Sequence, residues 1–353
     1  MKLSFMKNLQ KLTQESLASL SEKQREVLER RYGLSGTAPA TLDQIGKKMS
    51  LTRERIRQIE SSALETLKTN RAHEIFSPLI DQTKVHLVSL GGVRHEDFFF
   101  DEIIHLMGEN KTPRLAAIRS LEFAFSLVGA PARLTEDVHH HPAWYIDKDN
   151  IARAKGFISA LEKIVKRNRT PMDSDAFGAA FKLAMTQSGI TNESAASYYL
   201  GISKKFKFNP YGDFGLSSWP EIEPKGMREK AYLVMKKSGS PMHFSEISTA
   251  INTRKFDAKV AQPQTVHNEL IKDNRFVLCG RGIYGLREWG IEPGTVKDIL
   301  VRVLKSKGPL PPQELVGLVS AQRKVKNATI LLGLQDKTTF MRLEDGRYKF
   351  RSA

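Results

Sequence analysis

The chain has 353 residues, 55 of them Lys or Arg against 39 Asp or Glu, giving a formal charge of +16 and a pI near 9.7. A hydrophobic fraction of 40% is enough for packed cores and excludes a disordered chain, while the positive excess favours a polyanionic partner, either nucleic acid or an anionic membrane surface. The single cysteine, Cys279, excludes an internal disulfide and any multi-cysteine metal site. No apolar run approaches the roughly 18 residues of a membrane span, and MKLSFMKN lacks the apolar core of a signal peptide, so a cytoplasmic protein with no membrane partner is expected. The length fits several small domains.

The first predicted helix opens at the capping box Ser21/Gln24, carries Val27 and Leu28 on one face, and ends at Gly33. After the loop SGTAPA, a second capping box, Thr41/Gln44, starts a helix of about two turns with Leu42, Ile45 and Met49 on its apolar stripe. A short turn around Ser50 leads to a third helix beginning at Thr52, with Ile56, Ile59, Ala63, Leu64 and Leu67 at helical spacing. Its outward positions near the start are Arg53, Glu54, Arg57, Gln58 and Ser61, residue types that bond base edges and phosphates. Gly46, in mid-helix, costs about 1 kcal/mol relative to Ala, and close approach in a helix-turn-helix explains it. A solvated charged helix in an unrelated bundle is the blander alternative, but it need not reproduce the caps, the turn, the small residue and the polar face together.

The segment Leu20 to Leu67, above all Thr52-Arg53-Glu54-Arg55-Ile56-Arg57-Gln58-Ile59-Glu60, closely resembles conserved region 4 of the sigma-70 family, which reads the promoter −35 element. The resemblance implies base reading by Arg53, Glu54 and Gln58. Phosphate contacts would come from Thr41, Lys47, Thr52, Arg55 and Arg57, and the RNA polymerase core (β-flap) becomes a candidate partner. Sigma factors carry an aromatic promoter-melting region upstream, and about twenty residues precede this module, so a complete sigma factor is not expected.

Beyond residue 150 a period of about 70 residues appears. Pro171, Pro241 and Pro309 stand in similar contexts and mark an equivalent helix start. Each unit closes on an aromatic and glycine run (Tyr211 to Trp219, Gly282 to Trp289, Asp345 to Phe350), read as a β-hairpin wing. Ile222-Glu223-Pro224 and Ile291-Glu292-Pro293 follow the two Trp runs. Trp144-Tyr145-Ile146 falls one period earlier, which makes residues 73–150 a divergent first copy. The unit Gly226 to Trp289 resembles the HARE-HTH winged-helix family. By that resemblance Gln264, His267, Asn268 and Lys272 on its third helix, with Arg281 on the wing, form a candidate second DNA site.

The expected fold is therefore mainly α with small β-hairpin wings: a helix-turn-helix module at 1–72, then winged-helix-like domains at 73–150, 151–222, 223–291 and 292–353. For the later domains a protein-interaction role stays open beside DNA binding. Lys163, Lys166, Arg167 and Arg169, or Lys204, Lys205 and Lys207 beside Phe206 and Phe208, are either phosphate-binding and base-stacking groups or solvated faces over core aromatics.

His139-His140-His141 reads as a loop before Pro142, because consecutive residues do not easily aim three imidazoles at one ion. Asp213 with Glu223-Pro224-Lys225 matches the carboxylate and lysine pattern of metal-dependent nucleases, but the next copy has Gly294 where the lysine would stand. No Walker A loop, dinucleotide fingerprint or nucleophile elbow is present. No cofactor, metal or catalytic residue is assigned. The expectation is a non-enzymatic, sequence-specific regulator of transcription that binds double-stranded DNA, bacterial-type and nucleoid-associated. The alternatives are an RNA polymerase accessory subunit acting through protein contacts and a nuclease- or restriction-associated DNA-binding effector.

Overall fold

The computed structural model describes residues 9–108, 113–291, 294–322 and 325–351, so Glu292 and Pro293 of the second Ile-Glu-Pro lie outside the described residues. Two compact units are present, 1–206 and 207–353.

The first unit opens with helices α1 (Leu9–Leu17), α2 (Glu22–Tyr32), α3 (Leu42–Met49) and α4 (Arg53–Thr69). Local chemistry sets their limits. Ser21 and Thr41 each form a full capping box, with Gln24 and Gln44, and α2 stops at Gly33 in the left-handed region. Val27, Ile45 and Ile56 are buried together and hold α2, α3 and the first half of α4 in one small core. The second half of α4 belongs to another core. Ala63 and Leu67 pack with Leu9, Leu12 and Leu17 of α1, and with Phe76 at the end of the 3-10 turn Ala72–Phe76.

A three-helix unit with a three-stranded sheet follows: α5 (Ser77–Ser89), β1 (Val93–His95), α6 (Glu96–Met107), α7 (Arg114–Val128), β2 (Ala132–Leu134) and β3 (Ala143–Tyr145). The strands are antiparallel in the order β1-β3-β2, with Trp144 opposite both Arg94 and Arg133. This is the topology of a winged helix. Trp144 is ringed by Phe99, Phe100 and Phe125 at centroid distances of 5.0 to 6.1 Å. That core is continuous with the one under α4, because Phe123 of α7 packs edge-on against Tyr32 of α2 and against Phe76.

The next copy supplies α8 (Lys148–Asn168), α9 (Ser174–Gln187), α10 (Glu193–Gly201) and the strands β4 (Phe206–Phe208) and β5 (Phe214–Leu216), and the division between the units falls inside it. Within the first unit the two copies meet at Gly91 and Gly92, both at positive φ. A Cβ on Gly91 would lie 2.4 Å from that of Ala195, so only glycine admits α10 this closely, and the carbonyl of Gly91 accepts from the Tyr199 hydroxyl at 2.5 Å.

The second unit repeats the plan twice. First come α11 (Met227–Ser238), β6 (Met242–His243), α12 (Phe244–Arg254), α13 (Pro263–Lys272), β7 (Phe276–Gly280) and β8 (Ile283–Leu286), with strand order β6-β8-β7. Then come α14 (Val296–Lys307), α15 (Pro312–Ser320), α16 (Asn327–Gly333), β9 (Phe340–Arg342) and β10 (Tyr348–Phe350), in which Leu310 bridges to Tyr348 in place of a full first strand. Each of these two copies has its own apolar core.

The repeat landmarks are thus structural, with two refinements. Pro171, Pro241 and Pro309 precede the second helix rather than start it: the N-cap falls two residues later each time, at Asp173, His243 and Pro311. In the first copy the N-cap His95 puts Val93 in the proline's place. The aromatic runs supply only the second strand of each wing, Phe214–Leu216, Ile283–Leu286 and Tyr348–Phe350.

Candidate nucleic-acid interface

The α3-turn-α4 segment is built from the backbone outward. The Thr52 hydroxyl accepts from the Arg55 amide at 3.2 Å and caps α4. Ser50 closes α3 in the left-handed region at φ 57. Gly46 faces this turn rather than a neighbouring helix: a Cβ there would sit 2.6 Å from the Leu51 carbonyl oxygen. The turn therefore nests against α3. Ile56 is fully buried and Ile59 half-buried, which fixes the rotation of α4. Thr52, Arg53, Glu54, Arg55, Arg57 and Gln58 are consequently all exposed, as are Thr41 and Lys47.

These side chains are not independent. Arg57 grips Glu54 through bonds of 2.6 and 2.9 Å, and this hydrogen bonding holds the Glu54 carboxyl below the usual carboxylate range, so it is ionised at neutral pH. Arg55 donates to the Gln58 amide oxygen at 3.2 Å, and Lys47 pairs with Asp43 at 2.9 Å. Arg53 makes no side-chain hydrogen bond or ion pair among the described residues. The face so formed is compact, polar and pre-ordered by its own pairs. The Thr41 hydroxyl is engaged in its cap.

The module is anchored from behind by contacts that no local motif signals. Arg31 of α2 pairs with Glu60 of α4 at 3.2 Å, and Arg119 of α7 donates to the Thr37 carbonyl in the loop before α3. Helix α7 is the third helix of the first winged-helix copy, the position that reads DNA in such folds. Here Ala117, Leu121, Phe123, Ala124 and Phe125 on it are buried in the shared core. It is a bracket for the helix-turn-helix.

In the third copy the corresponding helix, α13, is open. Gln264, Asn268 and Lys272 are exposed, with Gln264 donating to Asn268 at 3.3 Å. Arg281 is exposed in the turn between β7 and β8, beside Gly282 at φ 70. His267 is drawn inward, between Phe244 at 4.6 Å and Tyr284 at 5.8 Å. Lys272 stands 3.5 Å from Glu269, which also holds Arg228 at 2.5 Å.

In the other basic clusters Lys166, Lys204, Lys205 and Lys207 are spent on carboxylates, whereas Lys163, Arg167 and Arg169 are exposed with no side-chain ion pair among the described residues. Lys204 pairs with Glu136, Lys205 with Glu162 at 2.5 Å, Lys207 with Glu223 at 2.5 Å, and Lys166 with Glu162 at 2.6 Å. Phe206 is buried. Phe208, beside Lys207, is 54% exposed.

The acidic pattern around Asp213 is likewise occupied. Asp213 is buried, accepting from Asn209 at 2.8 Å and Lys237 at 2.7 Å. In the His139-His140-His141 loop, Asp137 takes both backbone amides of His139 and His140 at 2.7 Å and the His140 ring at 3.0 Å. No group of three or more His, Cys, Asp or Glu able to hold a metal occurs among the described residues.

The fold and this geometry define a helix-turn-helix protein with tandem winged helices. Comparison with known families agrees at two places. Residues 16–69 match the family model Sigma-70, region 4, and residues 226–289 match HARE-HTH, a helix-turn-helix domain whose family name refers to ASXL and restriction endonuclease proteins among others. Both are DNA-binding helix-turn-helix domains, and the chain carries one segment matching each. Among the described residues no helix is long and apolar enough to cross a membrane.

Proposed function

We propose that the chain is a non-enzymatic transcription regulator that binds double-stranded DNA in a sequence-specific way, docking the start of α4 in the major groove at −35-like sites. The observation that carries this reading is the run of six exposed polar side chains from Thr52 to Gln58, interrupted only by the buried Ile56, on a helix capped and rotated by its neighbours. Arg53, Glu54 and Gln58 read bases. Thr41, Lys47, Thr52, Arg55 and Arg57 meet phosphates, and Arg57 exchanges Glu54 for a phosphate on docking. The exposed Gln264, Asn268, Lys272 and Arg281 add a second contact from the third winged helix, which raises effective concentration on one duplex.

Selection from a random duplex library at fixed salt, followed by binding of variants, tests this. Arg53→Ala and Gln58→Ala cost about 1–3 kcal/mol on the selected site and relax base preference, whereas Arg55→Ala weakens all sequences alike. Equal losses on selected and random DNA for all three variants overturn the assignment.

The region 4 match also favours a second reading, an accessory subunit of RNA polymerase held by protein contacts. Recovery of core polymerase with the chain from nuclease-treated extract supports it, and absence of polymerase rejects it.

A further inference from the structure

The last winged-helix copy holds a groove of about 510 Å³ between the end of α16 and the β9-β10 hairpin. Its walls are half apolar, with Leu334 and Phe340 buried and Tyr348 half-buried, and three cations, Lys337, Arg342 and Arg351, stand around it with no acidic residue among the lining.

Strand geometry explains the arrangement. In the antiparallel register Tyr348 lies opposite Arg342 and Phe350 opposite Phe340. Residues two apart share a face, so Arg342 and Tyr348 continue the core-facing side of the hairpin beyond the point where Phe340 closes the core. The Arg351 amide donates to the Thr339 carbonyl at 2.9 Å, which brings its side chain to the strand edge beside Lys337.

None of the three cations has a side-chain hydrogen bond or ion pair among the described residues. The third copy is an internal comparison. There Arg275, between α13 and β7, is tied to Asp273 at 2.6 Å. The corresponding acid in the last copy, Asp336, is engaged elsewhere: it pairs with Lys297 at 2.5 Å and accepts from Thr338 at 2.5 Å. Residues 292–353 contain twelve Lys and Arg against six Asp and Glu, so this copy supplies +6 of the chain's +16.

We infer that this groove is a binding site for a nucleic-acid phosphodiester backbone, contacted by Lys337, Arg342 and Arg351. Two guanidinium forks and an ammonium over a half-apolar floor suit phosphate oxygens with the sugar edge against Tyr348. Contacts to phosphate oxygens carry no sequence information, so the contact made by these three cations is independent of sequence. This rests on the DNA-binding reading above and assigns the last copy the affinity that the head's base contacts do not supply.

The test uses the full chain, with its selected duplex and a random duplex, over a range of salt. The triple variant Lys337→Gln, Arg342→Gln, Arg351→Gln is expected to lose at least about tenfold in affinity for both duplexes. The slope of log K against log salt becomes shallower by about 2 to 3, since each lost phosphate contact contributes about 0.9. Preference between the duplexes stays unchanged, and Lys307→Gln, outside the groove, leaves the slope as it was. Arg342→Glu alone, at an exposed site, gives the same direction without relying on the triple variant's folding.

A triple variant that melts like the wild type and keeps its affinity and slope overturns the inference. So does loss of polyglutamate binding with duplex binding intact, which assigns the groove to an acidic peptide. If the wild type shows no preference between the duplexes, the reading of the α4 head fails; a slope still reduced by the triple variant then leaves the groove standing.

Discussion

Substitution of Gly46 by alanine tests how the turn positions α4. Alanine is about 1 kcal/mol better than glycine inside a helix, so an unobstructed site would be stabilised by roughly that amount. The structure predicts the reverse. The new methyl would lie 2.6 Å from the Leu51 carbonyl oxygen, where ordinary contact begins at 3.4 Å, so the turn must retreat by about 0.8 Å, the difference of the two. The obstructing atom is backbone, held between the left-handed Ser50 and the capped Thr52. No flexible side chain can yield. Overpacking of this kind costs about 1–3 kcal/mol, which outweighs the propensity gain and leaves a net destabilisation of up to about 2 kcal/mol. Thermal unfolding followed by circular dichroism measures it, at roughly 2–4 °C per kcal/mol for a unit of this size. Duplex affinity falls further than stability does, because the displaced turn carries the first residues of α4. A raised melting temperature with unchanged DNA affinity would refute the reasoning.

Ser50→Gly is the companion change: relief of a left-handed L-residue, about 1–2 kcal/mol, against the added chain entropy of glycine, about 0.5–1 kcal/mol, gives a melting temperature that is unchanged or slightly raised. Leu121→Ala, at a fully buried site on α7, costs about 2–5 kcal/mol and, because α7 brackets the head, exposes α4 amides to hydrogen exchange that changes in the second unit do not. His95 and His141 lie 5.1 Å apart, and burial, reinforced for His141 by His95 and Lys204, holds both below the ordinary histidine value. As pH falls through about 6.5 the unfolded chain takes up these protons first, so stability is present above that value and declines below it. His141→Gln flattens the fall in melting temperature between about pH 7.5 and 5.5, and an unaltered slope contradicts this. Lys230 is 2% exposed and held by Asp257 at 2.6 Å, so Asp257→Ala lowers the melting temperature more than the double change Lys230→Met, Asp257→Ala, which leaves no buried charge unpaired.

Much of the head was legible in the sequence because its determinants are local. The capping boxes at Ser21 and Thr41, the left-handed Gly33, the apolar spacing through Ile56 and the polar run from Thr52 to Gln58 each involve neighbours within one or two helical turns. The winged-helix period was legible for the same reason, since each copy spells its own second wing strand. The first strands, such as Phe206–Phe208 and Phe340–Arg342, carry weaker signatures than the glycine and aromatic runs that follow them.

Which charges are available to a partner was decided only in three dimensions. In sequence, Lys204, Lys205 and Lys207 make as promising a basic cluster as any, yet Glu136, Glu162 and Glu223, up to 68 residues away, occupy them. Lys337, Arg342 and Arg351 have no such look in sequence and become a cationic rim because the fold sends Asp336 to Lys297. The third helix of the first copy has a helix's pattern and a winged-helix position, but it is closed to DNA by packing against α1 and α2. Short-range hydrogen bonds and helical periodicity fix what each segment becomes, and they are written along the chain. Ion pairing and burial depend on residues far apart in sequence, so the sequence determined the helix-turn-helix and winged-helix elements and the tertiary structure decided which of their faces remain open.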